Sequence, residues 1–428
     1  GTEMEISPPK TRNQLDSASR RLNATIILFF FSGFLLIAVK PVEGWTLHRF
    51  IIVFAVPATL HINLNVLPRF VQVDRLIVAI VNFLCALGVL ILYSTNVDRG
   101  VTQAVFYGVG TVFMLFCSVL VRRLFSGGWS WIILPMFLIC VLLLISPILF
   151  GTEINGAKNW IYISGISIQP SEFVKIGFII LSAYSMARYN KLMWMSFLAI
   201  SAAVLMLQKD LGAVLLYFIT ALMMFYTANG SLRIIAGSLV AGAGAAVFAY
   251  NRFAHIKKRV AIWQNPWVDY ENSGYQLVQS LVAIASGGLL GVGLGLGNPS
   301  VIPIYYTDFI FSVIAEQFGI VFSALVLALY ALLALRGSFI ARSAQTRFHA
   351  LLAVGCTSML CMQAFVIIGG VIKLIPLTGV TMPFVSYGGS SLVSSMGLIG
   401  ILQGVAGYNR DKLNKDAQMT ILDNQYRE

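Results

Sequence analysis

Long apolar segments recur along the whole chain and are separated by short polar connections. Twelve of them approach the roughly 17 to 25 residues that a helix needs to cross a bilayer. They fall at about residues 24–41, 48–69, 74–95, 102–121, 129–150, 170–187, 193–209, 210–228, 232–250, 308–335, 348–372 and 384–407. Lys209 and Asp210 interrupt the pair at 193–228. The pattern predicts an all-α polytopic membrane protein with about twelve transmembrane helices.

Lysine and arginine residues fall on alternate connections, and this predicts the orientation. Loops that carry them usually face the cytoplasm. The basic connections contain Arg12, Arg20, Arg21, Arg69, Arg75, Arg122, Arg123, Arg188, Lys191, Arg233, Arg336, Arg342 and Arg347. Residues 1–23 and 408–428 are then cytoplasmic tails, and the outer face holds three sizeable segments, at 151–169, 251–307 and 373–383.

The composition is typical of a membrane protein and does not favour a nucleic-acid-binding function. The mean hydropathy is +0.83, and 58% of the residues are hydrophobic and 11% charged, whereas soluble domains carry roughly 25% charged residues. The net charge of +12 is spread over short connections, so orientation explains most of it and no nucleic-acid partner is predicted. The five cysteines all lie inside apolar runs, without metal or disulfide spacing, which is typical of core residues.

The outer segment 251–307 begins with a basic cluster that includes Arg252, Lys258 and Arg259. Two interpretations remain open. Long loops cross the membrane regardless of their charge, or the cluster binds an anion such as pyrophosphate, whose oxygens suit the planar fork of arginine. An amphipathic run at 275–285 and a glycine-rich run at 287–297 follow. They predict a half-buried or re-entrant helix with an irregular return.

The stretch PIYYTDFIFSVIAEQFG, residues 303–319, places Asp308 where the outer loop becomes an apolar helix. An acid at the membrane edge is costly to bury and is a functional candidate by default. A helix cap is the alternative, because Thr307 and Asp308 both suit a helix start. Glu316 lies about two turns further along on a similar face. We expect it to pair with a cation, for which Lys373 is one option.

Further charged residues interrupt the apolar helices. Glu172 and Lys175 are three residues apart and share a helix face, which predicts an ion pair and is compatible with lining a polar cavity. Lys209 and Asp210 are adjacent and do not face each other, so at least one needs a partner elsewhere. The segment 375–391, IPLTGVTMPFVSYGGSS, is rich in proline, glycine and hydroxyl groups. It predicts either a tight connection or a cavity wall for a polar ligand.

Five motifs occur in a fixed order over about residues 74–407. They are NGAKNWIYI with IQPSEFVK, QKDLGAVLL, RVAIWQNPW with GYQLVQSLVAIASGGLLGVGLG, YYTDFIFSVIAEQFG, and LIPLTGVTMPFVSYGGSS. In this order they resemble the SEDS (shape, elongation, division and sporulation) family of RodA-, FtsW- and SpoVE-like proteins. The family has ten spans, so the resemblance implies a core at 73–407 and two added helices at 24–72. Departures are Asn159 for a common Arg, Lys209 for Pro and Gln317 for Glu.

The resemblance implies a peptidoglycan glycosyltransferase of the bacterial cytoplasmic membrane. Such an enzyme polymerises lipid II at the outer face, on a growing glycan chain that is linked to undecaprenyl pyrophosphate, and works with a class B penicillin-binding protein. The essential acid of the family maps onto Asp308, the expected general base. Loss of the common Arg at Asn159 leaves Lys158 as the expected cation of the first outer loop. The other residues expected to bind substrate are Trp160, Arg252, Lys258, Arg259, Ser386 and Tyr387.

Within that set, Lys158, Arg252 and Arg259 are expected to stabilise the leaving pyrophosphate, while Glu172, Lys175 and Asp210 hold the cavity open. A divalent cation, Mg²⁺ or Mn²⁺, bridging Asp308 and the pyrophosphate is an open possibility. Two other functions remain as alternatives: a flippase for lipid-linked precursors, and a scaffold without catalytic activity for a penicillin-binding protein. The sequence does not distinguish elongation, division and sporulation.

Overall fold

The computed structural model describes residues 12–39, 47–124, 130–154, 157–163, 166–271 and 273–427. The α-helices of the first half are α1 (Arg12–Val39), α2 (Leu47–His61), α3 (Leu67–Phe70), α4 (Arg75–Thr95), α5 (Val97–Leu124), α6 (Ile133–Phe150) and α7 (Pro170–Ala187). Those of the second half are α8 (Lys191–Leu207), α9 (Leu211–Asn229), α10 (Leu232–Arg252), α11 (Ala254–Gln264), α12 (Ser273–Gly287), α13 (Ile310–Arg342), α14 (Arg347–Val371) and α15 (Gly389–Arg427). A π-helical turn, Ile62–Val66, links α2 to α3.

Each of the twelve predicted apolar runs coincides with a helix, and the polytopic helical fold is confirmed. In the described part of the chain, ten helices are long and apolar enough to cross a membrane, and the apolar stretch Leu192–Leu207 of α8 is shorter. The number of twelve spans therefore stays a prediction. Both predicted tails continue into helix, since α1 begins at Arg12 and α15 runs to Arg427. Residues 1–11, 40–41 and 428, which belong to the predicted tails and first span, lie outside the described residues.

The first outer segment departs from the all-α prediction. It contains three short antiparallel strands in the order β1 (Thr152–Ile154), β2 (Ala157–Ile163) and β3 (Ile166–Ile168). Thr152 pairs with Trp160, and Ile161 pairs with Ile168. Isoleucine and aromatic residues are frequent here, as in Trp160–Ile163, and such residues favour a pleated, half-buried surface. The small sheet lies between α6 and α7 in the chain, and β2 contacts both helices.

The junction between α8 and α9 shows how the chain turns sharply without a proline. Lys209 adopts the left-handed conformation, with φ of +62°. The amide of Asp210 donates to the carbonyl of Leu205 at 3.0 Å, which is the bond that closes a Schellman motif. Asp210 then caps α9, because its Oδ1 accepts from the amide of Ala213 at 3.1 Å. The tight junction before Asp210 therefore forms although position 209 is a lysine and not a proline.

Helix α13 is broken near its start, and the glycine-rich segment fills the break. Gly319 has φ of +79° and ψ of 176°, which no helix tolerates. The carbonyls freed at Glu316 and Gln317 accept from the amides of Val292 and Gly293, at 2.9 and 3.0 Å. Irregular backbone in a membrane protein must satisfy its polar groups within the protein. The run 287–297 does so by packing its own backbone on the break.

Candidate active site

Asp308 lies in the turn that precedes α13 and does not cap that helix. The N-cap residue is Phe309, and α13 has no side-chain cap. The hydroxyl of Thr307 donates instead to the carbonyl of Ile304, at 3.3 Å. The expectation that Thr307 or Asp308 would cap the helix is wrong, because the turn continues one residue further than the sequence suggested. The half-buried Asp308 carboxylate therefore serves no capping role.

Arg259 is a basic residue whose charge acts on this carboxylate. Its Nη1 donates to the carbonyl of Leu377 at 3.1 Å, which fixes α11 to the last outer segment. A Cβ atom built on Gly379 would lie 3.6 Å from Nη2 of Arg259 and 3.9 Å from Oδ2 of Asp308. The backbone of Gly379 has φ of +77°, a conformation that glycine adopts without strain. The guanidinium and the carboxylate thus border the same glycine.

The surroundings of Asp308 raise its pKa, which favours its accepting a proton. Burial raises the pKa of Asp308 above its ordinary value, while hydrogen bonding to Thr307 and the positive charge of Arg259 oppose this effect. Burial has the larger influence, so the net pKa is raised. A carboxylate with a raised pKa is a stronger base than a solvated aspartate, and a nearby cation favours its ionised form. Arg259 provides that support.

Two more titratable groups, His255 and Lys209, lie close to Arg259. His255 lies one helical turn before Arg259 on α11 and is half-buried. Burial lowers the pKa of His255, and the positive charges of Arg259 and Lys209 lower it further. Lys209, at the α8–α9 junction, is therefore near enough to influence this side of α11. Burial and these two neighbouring charges therefore favour the neutral form of the His255 imidazole.

The other predicted cations do not join Arg259. Lys158 donates from Nζ to the carbonyl of Ile148 at 2.8 Å, at the end of α6. Arg252 is exposed at the end of α10, and Lys258 pairs with Asp269 at 3.0 Å with about half of its side chain in solvent (53%). The assignment of these three to one anion site is thus not supported by their contacts. Successive side chains on α11 point in directions about 100° apart, which separates Lys258 from Arg259.

Strand geometry explains why Lys158 points away. Side chains alternate across β2, so Lys158 and Trp160 share one face and Asn159 takes the other. Asn159 donates to Oδ2 of Asp210 at 3.2 Å, and Gln169 donates to the same oxygen at 3.0 Å. Because Oδ1 of Asp210 accepts from the amide of Ala213, both carboxylate oxygens accept hydrogen bonds within the protein, as expected of a structural residue. Trp160 is half-buried on β2.

Ser386 and Tyr387 position the turn that carries Asp308. The hydroxyl of Ser386 donates to the carbonyl of Thr307 at 2.6 Å and accepts from the amide of Met382 at 2.8 Å. The amide of Tyr387 donates to the carbonyl of Tyr306 at 2.8 Å. The hydroxyl of Ser386 is thus used as a donor and as an acceptor within the protein, and its contact with substrate stays a prediction. The ring of Tyr387 packs edge-on against Tyr306, with centroids 5.9 Å apart.

A chain of buried polar groups supports the site from inside the bundle. The predicted ion pair is present, with Lys175 Nζ at 2.8 Å from Glu172 Oε1. Lys175 also donates to Gln363 Oε1 at 2.9 Å, and Ser394 donates to Glu172 Oε2 at 2.9 Å. Gln363 in turn donates to the carbonyl of Thr381 at 2.8 Å. The last outer segment is therefore tied to α7 and α14 through these bonds.

Glu316 is not paired with Lys373, and that prediction is wrong. Glu316 Oε1 accepts from the amide of Asn298 at 3.1 Å, so this carboxylate supports the glycine-rich return. Lys373 follows the end of α14 in a left-handed conformation, with φ of +62°. Its carbonyl accepts from Nε1 of Trp263 at 3.1 Å. Lys373 therefore anchors α11 through its backbone, at a different place from Glu316.

Comparison with known proteins agrees with this architecture. The profile of the family of FtsW, RodA and SpoVE, described as "Cell cycle protein", matches residues 74–411. The chain belongs to this family. It is 39% identical over 271 residues to the peptidoglycan glycosyltransferase RodA of Mycobacterium tuberculosis (strain ATCC 25618 / H37Rv), and this covers 59% of the chain and 58% of that relative. It is 33% identical to the probable peptidoglycan glycosyltransferase FtsW of Geobacter metallireducens, over 81% of the chain and 96% of that relative.

Solved structures of the family share the fold. A chain from a structure described as "Structural coordination of polymerization and crosslinking by a peptidoglycan synthase complex" is 26% identical and has a TM-score of 0.67, over 80% of this chain and 99% of that one. The Rod shape determining protein RodA of Thermus thermophilus is also 26% identical, with a TM-score of 0.59, over 79% and 98%. The family core therefore lies within the region that follows α3.

Two residues of the family core were missed by sequence reasoning. Arg99 lies near the start of α5, donates to the hydroxyl of Tyr305 at 3.2 Å and stacks 3.7 Å from the ring centroid of Tyr306. Gln103 donates to the carbonyl of Ser386 at 3.0 Å. Arg99 therefore holds the turn before Asp308, and Gln103 holds the segment that contacts this turn through Ser386. The available signal was the position of Arg99 on a connection that the charge pattern assigns to the outer face.

A metal ion at this site would need additional ligands from the substrate. No group of three or more His, Cys, Asp or Glu side chains that could hold a metal ion occurs in the part of the chain that the structure describes. Asp308 also borders a guanidinium, which disfavours a second cation beside it unless phosphate oxygens intervene. Among the described residues, the donors around Asp308 do not form a metal site on their own.

Proposed function

We propose that this chain is a peptidoglycan glycosyltransferase that polymerises lipid II at the outer face of the bacterial cytoplasmic membrane. The observation that carries the proposal is the meeting of Asp308 and Arg259 at Gly379, in a member of a family whose relatives carry that activity in their names. A class B penicillin-binding protein is the proposed partner, since a structural relative belongs to a peptidoglycan synthase complex.

Asp308 is the proposed general base. The 4-hydroxyl oxygen of the acceptor N-acetylglucosamine attacks the anomeric carbon of the donor sugar. As this bond forms, the bond from the anomeric carbon to the pyrophosphate oxygen breaks, and undecaprenyl pyrophosphate leaves. The hydroxyl proton passes to Asp308, whose pKa is raised by burial. A base within hydrogen-bond reach of the reacting proton contributes roughly 10²- to 10⁴-fold to such a step.

Arg259 is the proposed electrophilic partner. While Asp308 is ionised, its charge offsets that of the guanidinium beside it. Proton transfer neutralises the carboxylate, so the charge of Arg259 becomes available as the pyrophosphate acquires negative charge. A fixed cation aimed at developing charge stabilises the transition state more than the ground state. The bond from Arg259 to Leu377 fixes the guanidinium for that role.

Turnover of lipid II by the purified full chain in detergent tests this function. We expect glycan polymer from the natural sequence and a loss of about 10²- to 10⁴-fold in rate for Asp308→Asn. Asp98→Asn is the matched control, because Asp98 is an exposed acid in the first turn of α5. It should polymerise at the natural rate.

The same assay separates the alternatives. Detergent removes the two compartments that a flippase needs, so polymer formed there requires an enzyme. A scaffold without catalytic activity would form no polymer alone and would tolerate Asp308→Asn in a complex with its penicillin-binding partner. Full polymerisation by the folded Asp308→Asn protein would refute the assignment of the base.

A further inference from the structure

The turn that carries Asp308 contains a strained residue. Ile304 adopts the left-handed conformation, with φ of +58°, and this conformation is an outlier for a β-branched side chain. The carbonyl of Ile304 accepts from the amide and from the hydroxyl of Thr307, at 3.2 and 3.3 Å, so the chain folds back on itself directly before Asp308. Strained backbone persists only where its surroundings over-determine it, and it clusters at active sites. The contacts that hold this turn therefore bear on the candidate chemistry.

The segment that faces this turn is strained as well. Phe384 has φ of +70° and is buried. Two hydrogen bonds join the segment to the turn. The hydroxyl of Ser386 donates to the carbonyl of Thr307 at 2.6 Å, and the amide of Tyr387 donates to the carbonyl of Tyr306 at 2.8 Å. Both bonds act on the backbone of the turn, so its tyrosine side chains need contacts of their own.

Arg99 provides these contacts for two consecutive tyrosines. Its Nη1 donates to the hydroxyl of Tyr305 at 3.2 Å, and its guanidinium carbon lies 3.7 Å from the ring centroid of Tyr306. A guanidinium over an aromatic face at this distance is attracted by the ring quadrupole. The two rings also meet edge to face, with centroids 5.5 Å apart and an angle of 87° between their planes. One guanidinium thus holds both side chains of the turn.

The backbone around Arg99 is itself well fixed. The amide of Arg99 donates to Oδ1 of Asn96 at 2.9 Å, as at a helix N-terminus. The next residue, Gly100, packs so closely on α4 that a Cβ atom built on it would lie 2.6 Å from Cα of Tyr93. Helices α4 and α5 therefore meet in a tight corner, and Arg99 extends from that corner to a turn more than 200 residues further along the chain.

We propose that Arg99 is a positioning residue for glycan polymerisation, which holds Tyr305 and Tyr306 so that the strained turn keeps Asp308 beside Arg259. This inference rests on the proposed function. Arg99 acts through the two tyrosines, because its donor and its planar face are already engaged with them. A misplacement of a reacting group by about 1 Å can lower a rate by about a hundredfold. Release of the turn is therefore expected to affect catalysis more than folding.

The test is kcat and KM for lipid II polymerisation by the purified full chain in detergent. Arg99→Gln removes the charge over Tyr306, so kcat should fall by about 10- to 100-fold, with KM within about twofold because the loss is confined to the chemical step. Arg99→Lys keeps a cation but loses the planar fork, and its kcat should lie between the two. The matched control is Arg188→Gln, because Arg188 stacks 4.6 Å from the ring centroid of Tyr184 at the end of α7. It should polymerise at the natural rate.

A double-mutant cycle identifies the ring through which Arg99 acts. Tyr306→Leu removes the aromatic face. If Arg99 works through that face, the variant with both substitutions should lose little more than the larger single loss, whereas independent effects would multiply. Tyr305→Phe removes only the hydroxyl and should lower kcat by about three- to tenfold. If Arg99→Gln melts below the assay temperature, Arg99→Lys and Tyr305→Phe carry the test in its place.

The outcomes separate the inference from the function on which it rests. A natural kcat in folded Arg99→Gln, even with a lower melting temperature, would restrict Arg99 to stability and overturn the proposal. Losses that multiply in the cycle, or an equal loss in Arg188→Gln, would also overturn it. A lower kcat in the Arg99 variants with a natural KM would support it. Absence of polymer from the natural sequence would instead refute the proposed function, and the inference with it.

Discussion

Replacing Arg259 by glutamine tests whether its charge tunes the proposed base. Both the guanidinium and the Asp308 carboxylate lie within 4 Å of the Cβ position of Gly379. Coulomb's law, for two charges at most about 8 Å apart and an effective dielectric constant of about 20, gives roughly 2 kcal/mol. Both side chains are half-buried, and solvent screening reduces this to about 1 kcal/mol.

The direction in which the pH–rate profile moves follows from the opposing influences on the pKa of Asp308. A general base acts only when it is ionised, so activity falls as the pH drops through its pKa. Burial raises the pKa of Asp308, and the charge of Arg259 opposes this. Without that charge the pKa rises further, and the acidic limb of the pH–rate profile moves to higher pH. An energy of about 1 kcal/mol corresponds to about 0.7 pH unit.

The assay is kcat/KM for lipid II polymerisation in detergent between about pH 5 and pH 9. Arg259→Gln should move the acidic limb and also lower the rate on the plateau by about 10²- to 10³-fold, because the leaving group loses its cation. Arg259→Lys keeps the charge but loses the planar fork, so it should lower the plateau without moving the limb. Lys258→Gln is the matched control, since its partner is Asp269.

Three outcomes are decisive. An acidic limb that stays in place in Arg259→Gln would show that the titrating base is not beside Arg259, and Asp308 would lose its assignment. A shift of equal size in Lys258→Gln would mean that the whole basic loop acts at long range. A limb that moves in Arg259→Gln alone, with an unchanged melting temperature, would support the geometry at Gly379.

Three further substitutions test the frame around the base. Gly379→Ala adds a methyl group beside Asp308 in left-handed backbone, so we expect about 1 kcal/mol of strain and a larger fall in polymerisation than in melting temperature. Ser386→Ala removes two buried hydrogen bonds and should lower the free energy of unfolding by about 2 to 3 kcal/mol in thermal unfolding. Lys175→Met leaves Glu172 buried without its cation and should cost about 3 to 5 kcal/mol. The double variant with Glu172→Gln should recover most of this stability, and equal instability of both would contradict the ion pair.

The helices could be predicted from the sequence because each apolar run is long enough to cross a bilayer and ends at polar residues. Asp308 could be singled out for the same reason, since an acid stands at the edge of such a run. Which basic residue meets it could not be predicted, because the phase of α11 depends on where the helix begins. A start at Ala254 turns Arg259 toward the last outer segment and Lys258 toward Asp269.

The small sheet illustrates a second limit of sequence reasoning. The run NWIYI was recognised as part of a family motif, but its β-structure was missed because the surrounding pattern is helical throughout. Strand alternation then changed the interpretation of Lys158 as a cation for the leaving group. It directs Asn159 to Asp210 and Lys158 to the end of α6. A change of one residue in strand position exchanges the two faces, so chemistry assigned along a strand depends on recognising the strand.

The frame that holds Asp308 explains why the base and its cation stay together. Ser386 holds the turn before α13 and is itself held by Gln103, while Arg259 fixes α11 to the segment that carries Ser386 through Leu377. The buried ion pair of α7 reaches this segment through Gln363 and Thr381. A buried ion pair adds little net stability compared with well-packed apolar residues, but it selects one arrangement of the segment. We therefore expect the ion pair of α7 to influence the proposed chemistry through the position of this segment.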